Sequence, residues 1–206
     1  MALTTFAELK ASIADWLNRS DLTTVIPDFI TLAEHQMERE VRHYKMIERS
    51  NANLDSRYSQ VPTNWLETIR FTLNTGDTYR LEMVSIDDLS ARRASNLDTA
   101  GRPKYYAHVG DTFELHPTPD TSYATELVYY EKIDPLSDSN TSNWLLDTAP
   151  DAYLYGSLLQ AAPYLSDDER IPIWSSAYAG AVASLNNSSN RTRQSSGNLR
   201  MKIAAY

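Results

Sequence analysis

Residues 143–170 read NWLLDTAPDAYLYGSLLQAAPYLSDDER, and their reading decides the fold. Asn143 can cap a short first turn. Asp147-Thr148-Ala149-Pro150 marks a second helix start, because proline is tolerated where its missing amide would be an orphan anyway. From Pro150 onward Leu154, Leu158, Ala161, Ala162 and Leu165 recur at three- and four-residue steps, one face built for burial. Pro163, Ser166 and the run Asp167-Asp168-Glu169 close this helix and open another, since carboxylates near a helix start complement its dipole. The stretch predicts a helical hairpin. Its second arm runs from about Asp168 or Ile171 to Asn186, with Trp174, Tyr178, Ala181, Val182 and Leu185 inward and small residues such as Ser175, Ala179 and Gly180 outward.

Working outward, the N-terminus predicts a matching pair of helices. Thr5-Phe6-Ala7-Glu8 is a capping-box pattern, followed by Phe6, Leu9, Ile13, Trp16 and Leu17 at helical spacing as far as Asn18. Thr23 or Thr24 can cap a second, longer helix, whose inner stripe is Ile26, Phe29, Ile30, Ala33, Met37, Val41 and Tyr44. Its outer face carries Glu34, Glu38, Arg39, Glu40 and Arg42, with Glu38 spaced to support Arg42. Between the two helical ends the period becomes alternating. Ile69-Phe71-Leu73 and Tyr79-Leu81-Met83 flank Asn74-Thr75-Gly76-Asp77, a hairpin signal, and Ser85-Ile86-Asp87-Asp88 starts a short helix reaching Ala94. A tighter hairpin joins Tyr105–Val109 to Thr112–His116 through Gly110-Asp111, with Phe113 facing His108 and Leu115 facing Tyr106. Tyr123 to Lys132 adds a strand, and Ile47 to Asp55 is polar enough for an edge, so a single antiparallel sheet of about four to six strands is expected.

Two of these blocks carry a resemblance. The string NWLL, then APDAYLYG, then LLQAAPYLSDDER, together with TTFAELKASIADWLNRSDLTTVIPDFITLAEHQMEREVR at residues 4–42, resembles the head-to-tail adaptor (connector) proteins of tailed bacteriophages. The blocks cover about a third of the chain. The resemblance implies a structural virion protein at the head-tail junction, made in the host cytoplasm. It implies a homo-oligomeric ring of about twelve copies beneath the portal protein, with tail or nozzle proteins below it and genomic DNA passing through without sequence-specific binding. It carries over no catalytic residue. The competing class is a phage tail module for nozzle or receptor recognition.

Composition bounds the reading independently. At 206 residues the chain can bury a sizeable core. Zero cysteines exclude disulfides, thiolate nucleophiles and cysteine-ligated zinc and fit a reducing compartment. Met1 to Lys10 lacks a signal-peptide pattern, and no run approaches the roughly 20 apolar residues of a membrane helix, so no membrane partner is expected. Net charge is −8, yet Arg191, Arg193, Arg200 and Lys202 leave residues 187–206 at +4, so residues 1–186 carry −12 (15 Lys and Arg against 27 Asp and Glu). Such a body repels phosphates on average, which argues against a general DNA binder and suits a conduit wall.

Site chemistry is sparse. Glu40-Val41-Arg42-His43 has the Glu-x-x-His spacing of di-metal bundles but no second copy, and His35 and His43 lie roughly 12 Å apart by helical rise, so neither metal nor cofactor is expected. There is no Gly-x-Ser-x-Gly elbow and no phosphate-cradling glycine loop, and the four histidines are scattered; the chain is not read as an enzyme. Tyr105-Tyr106 and Tyr129-Tyr130 are expected to cover the two faces of the sheet rather than to form a base-stacking platform, which would need interleaved basic residues. After a polar stretch, Leu199, Met201 and Ile203 alternate with Arg200 and Lys202. With Arg191 and Arg193 these residues form the candidate partner-binding arm. The sum is an α+β chain: a four-helix bundle from the N- and C-terminal segments with an inserted antiparallel β lobe. Residues 1–44 form the N-terminal helical hairpin, 45–135 the β lobe with its short helix, 136–186 the C-terminal hairpin, and 187–206 a flexible basic arm.

Overall fold

The structure is a computed structural model that describes residues 3–95, 99–165 and 169–193. It is α+β, with six α-helices among the described residues and two four-stranded sheets. The expected four-helix bundle with one inserted β lobe is therefore overturned, because the strands divide between two substantial sheets and the helices are more numerous than four. Contacts separate the described residues into two compact units, one comprising those up to Lys45 and from Ile133 on, the other Met46–Lys132.

In the first unit, α1 (Phe6–Leu17) opens with the expected capping box: Thr5 Oγ1 accepts from the Glu8 amide at 3.3 Å and the Glu8 carboxylate accepts from the Thr5 amide at 3.1 Å. Asn18 ends it in the left-handed region at φ 52°. Helix α2 (Ile26–Glu40) follows Val25 with no side-chain cap, so neither Thr23 nor Thr24 serves, and it stops at Glu40. Beyond that end Val41 is buried, but Tyr44 sits in a short 3-10 turn and is exposed. The Arg42 guanidinium donates to the Glu38 and Val41 carbonyls at 2.7 Å just past the helix end. A short α4 (Trp144–Thr148), capped by Asn143, is separated from α5 (Pro150–Ala161) by Ala149. Helix α6 (Ile171–Arg193) continues past the expected end at Asn186. On α5, a Cβ added to Gly156 would lie 3.2 Å from Tyr178 and 3.4 Å from Ala33, so the missing side chain lets α2, α5 and α6 approach closely.

In the second unit the strands are β1 (Ile47–Leu54), β2 (Tyr58–Gln60), β3 (Trp65–Leu73), β4 (Tyr79–Arg80), β5 (Glu82–Met83), β6 (Tyr105–Val109), β7 (Thr112–His116) and β8 (Tyr123–Glu131). One sheet has the order β1-β8-β3-β4 and the other β2-β7-β6-β5. The chain changes sheet at Leu81: β4 pairs with β3, whereas β5 pairs parallel with β6. Alternation marks which residues share a face, but not which of two sheets receives the strand. The polar segment expected at an edge is the edge strand β1, paired along its length with β8 from Ile47↔Tyr130 to Leu54↔Tyr123. The β6–β7 hairpin has the expected register, with His108↔Phe113 and Tyr106↔Leu115, and Gly110 supplies φ 57° in its turn. Leu54, Phe71, Leu73, Leu127 and Tyr129 meet Tyr106, Phe113 and Leu115 in the core between the sheets. Phe71, Tyr106 and Phe113 form a triangle of rings 5.3 to 5.5 Å apart. Helix α3 (Ile86–Ser95) packs on β6 and β7.

One polar network ties the first unit together. Glu34, expected on the outer face of α2, is only 5% exposed. Its Oε1 accepts from the Leu136 amide at 2.8 Å and from the Tyr153 hydroxyl at 3.1 Å. Asn143 Nδ2 donates to that hydroxyl at 2.6 Å and to the Asp134 carbonyl at 2.7 Å, while its Oδ1 caps α4 through the Leu146 amide. Burial pushes the Glu34 carboxyl above its ordinary 4.5, outweighing these two donors. A raised carboxyl favours its neutral form in the folded state. Its contribution is therefore complete below pH 4.5 and is lost as pH rises through the elevated folded value. Glu34→Gln, which keeps an acceptor oxygen and carries no charge, is expected to match wild type near pH 4 and to exceed it in urea unfolding as pH rises toward 7. Glu34→Ala strands a buried hydroxyl and a buried amide and is expected to lose about 2 kcal/mol or more at any pH.

Candidate interaction surfaces

The arm residues singled out from sequence divide into two groups. Arg191 and Arg193 are exposed in the last turn of α6, where positive charge complements the helix C-terminus. Leu199, Arg200, Met201, Lys202 and Ile203 lie outside the described residues. The first part of the expected flexible arm, residues 187–193, is helical. The small-sided face of α6 borders a shallow cleft of about 350 Å³ at Gly180, Ala183, Ser184, Asn187 and Arg191.

The tyrosines form no open stacking platform. Tyr106 and Tyr129 are buried between the sheets, Tyr130 is buried on the other face of β8, and the Arg92 guanidinium covers the Tyr105 ring at 4.1 Å. Basic residues do interleave on the outward face of the β1-β8-β3-β4 sheet, contrary to expectation. Arg49 and Arg70 both lie opposite Val128 and share Glu126 at 3.4 and 2.7 Å, and Arg80 lies opposite Thr72 on the same face. This face was missed because its arginines come one each from three strands, and the pairing of β1 and β3 with β8 that brings Arg49 and Arg70 together is non-local. The usable signal was Arg70 beside Phe71 in β3, a basic residue on the opposite side of the strand from a core-facing ring.

A second surface lies at one end of the helical unit. Trp16, expected inward, is 41% exposed, and its ring meets Tyr155 edge-on at 5.7 Å. Arg170 Nη1 donates to the Trp16 carbonyl at 2.8 Å and the guanidinium lies 4.9 Å from the Trp174 ring centre, so the start of α6 is pinned beside the end of α1. Ile173, in the first turn of α6, is 67% exposed. Next to Trp16 is a cleft of about 240 Å³ lined by Ala14, Asp15, Asn18, Arg19 and Ser20. In the sheet unit, a cleft of about 560 Å³ is floored by Trp65 and His108, whose rings are 4.4 Å apart, with Asp111 and Lys132 at its sides.

Glu40 and His43 do not converge. Glu40 accepts from the Tyr178 hydroxyl at 2.9 Å, whereas His43, past the end of α2, stacks on Trp144 at 5.1 Å. Burial, with Lys45 nearby, lowers the His43 pKa below the usual imidazole value. Among the described residues no group of three His, Cys, Asp or Glu side chains could hold a metal ion. No helix among them is long and apolar enough to cross a membrane. A family model described as SU10 adaptor protein matches residues 4–202, a span that runs through both compact units. No curated protein matches the chain.

The arginine chemistry of the sheet unit also includes a structural pair. Glu114 of β7 accepts from Arg57 at 2.7 Å and from Arg93 of α3 at 2.5 Å, and Arg93, 9% exposed, also donates to the Leu115 carbonyl. Burial alone would raise the Glu114 carboxyl, but the bonds from Arg57 and Arg93 outweigh it and hold the group below 4.5. A depressed carboxyl stabilises the fold above 4.5 and ceases to do so as pH falls through its lower folded value. Glu114→Ala is expected to cost about 3 to 5 kcal/mol at neutral pH by leaving Arg93 buried without its carboxylate. In urea unfolding the gap to wild type should close in acid.

Proposed function

Because the chain belongs to the SU10 adaptor protein family, we propose that it is a structural virion protein, a head-to-tail adaptor that forms a ring beneath the portal protein of a tailed bacteriophage. The observation that carries this reading is the family match over residues 4–202, nearly the whole chain. The ring joins capsid to tail or nozzle proteins and lines the channel through which DNA leaves. A net charge of −12 over residues 1–186 supports a wall along which DNA slides without sequence-specific contacts. The chain's work is attachment, not turnover.

A closed ring needs one surface to meet a different surface on the next copy. The arginine-bearing sheet face, the small-sided face of α6 and the aromatic end of the helical unit supply distinct surfaces for this. The basic terminal segment (Arg191, Arg193, Leu199, Arg200, Met201, Lys202 and Ile203) is the partner-binding arm. Ordering such a segment costs conformational entropy, which opposes association until the portal presents a template. Sedimentation of the purified protein is therefore expected to show monomer alone and a portal-bound ring when portal is added. A stable ring formed without portal would refute templating, and particle images with one copy or none at the DNA exit vertex would refute the adaptor reading. Deleting residues 194–206 is expected to lower adaptor occupancy of portal-containing heads at least about tenfold.

A further inference from the structure

The last turns of α6, which lead into the basic terminal segment, are fastened to the chain just past α2 by a polar clasp. Asn186 Oδ1 accepts from the Arg42 amide at 2.9 Å, and its Nδ2 donates to the Glu40 carbonyl at 3.1 Å. Beside them Ser188 Oγ lies 3.4 Å from His43 Nε2. His43 is 2% exposed, stacked on Trp144 of α4 at 5.1 Å and against Tyr44 at 4.4 Å. Three segments thus meet on one imidazole. Past Asn186 little else holds the helix: residues 187, 188 and 190–193 are exposed, and Ser189 is buried with its hydroxyl unpaired, which disfavours its burial. Upstream, Trp174, Tyr178, Ala181, Val182 and Leu185 anchor α6 in the core.

Hydrogen bonds on the ring fix its charge state. The Lys45 amide donates to Nδ1 at 3.3 Å, so that nitrogen keeps its lone pair and the ring proton belongs on Nε2. Nε2–H then faces Ser188 Oγ, whose own proton goes to the Leu185 carbonyl at 2.8 Å. A second ring proton would set Nδ1–H against the Lys45 N–H and bury a cation near the Lys45 ammonium. Nothing in the surroundings compensates it. Trp144 of α4 and Ser188 of α6 are uncharged, the Arg42 guanidinium is held on the Glu38 and Val41 carbonyls, and the Glu40 carboxylate takes the Tyr178 hydroxyl. Burial, with Lys45, holds the imidazole below its ordinary 6.5, so the stability of the neutral arrangement is present above 6.5 and is lost as pH falls below it. We propose that His43 is an acid-operated release for the root of the terminal segment: its protonation opens the clasp and frees α6 from Asn186 onward while the rest of the helix stays packed. Released, residues 187–193 lengthen from about 10 Å as helix to about 24 Å extended, which carries the basic segment farther out. That use rests on the partner-binding reading of the segment; the release itself rests on the clasp.

The cysteine-free sequence lets a single Thr192→Cys, at an exposed site, carry a nitroxide label in the full chain. Its mobility is read by electron paramagnetic resonance from about pH 8 to about pH 5, beside the imidazole titration of His43 by NMR and the near-UV circular dichroism of the fold. The mobile fraction is expected to rise from under about a tenth to over about a half, with a midpoint below 6.5 that coincides with the His43 titration, while the near-UV signal persists. In His43→Gln, whose side-chain oxygen can accept from the Lys45 amide and never becomes charged, the mobile fraction should stay at its high-pH level. A label that stays immobile while His43 titrates overturns the release. So does a transition that persists in folded His43→Gln, or one that coincides with loss of the near-UV signal. If His43→Gln does not fold, coincidence of the two wild-type midpoints decides. Portal-containing heads filled normally by the chain lacking residues 194–206 would remove the segment's partner-binding role and leave the clasp result standing.

Discussion

The helical unit depends on a carboxylate held in a place that disfavours its charge. Glu34 sits on the inward side of α2 and is satisfied by a backbone amide from residue 136 and a hydroxyl from α5. Those groups come from positions more than a hundred residues away in sequence. A buried acceptor with two distant donors fixes register in a way that apolar packing, which tolerates sliding, does not. Asn143 extends the constraint by capping α4 while holding the Tyr153 hydroxyl, so one network sets the start of a helix and the packing of its neighbour.

Much of the local structure was legible, and the reason is physical. The capping box at Thr5, the Asn143 cap, the proline start of α5 and the Gly110-Asp111 turn are all short-range devices whose chemistry lies within about four residues. What sequence could not supply was long-range. Leu81 sends the chain from one sheet to the other, and nothing in a period of two announces that switch. Glu34 looked like a surface residue because its donors could not be seen, and Trp16 looked inward because helical spacing ranks it with Ile13. The arm was legible only as a pattern: Arg191 and Arg193 are now seen on a helix, and the alternating residues beyond them remain known by their spacing.

Charge has two uses in this molecule. Where it is buried it is paired to fix geometry, as Arg93 is by Glu114 between α3 and β7. Where it is exposed it is sorted by region: an acidic body, a basic terminal segment and an arginine-bearing sheet face. Exposed charges at these separations add little to folding and are screened by salt. Their value lies in association, where they reject wrong orientations and select complementary ones. The internal ion pairs of the fold thus serve a different task from its external charges.

The sheet unit begins and ends side by side. Its first strand lies along its last, Ile47 against Tyr130, through eight consecutive residue pairs. The points at which the backbone enters and departs are thus held together by the sheet itself, and the loop-closure entropy of everything between them is met within that pairing. Evolution can then graft, trim or enlarge the distal hairpins, or exchange the whole insert, without altering the gap that the flanking helical segments must bridge. A lineage that must recognise changing neighbours could vary this module freely while the rest of the chain stays the same.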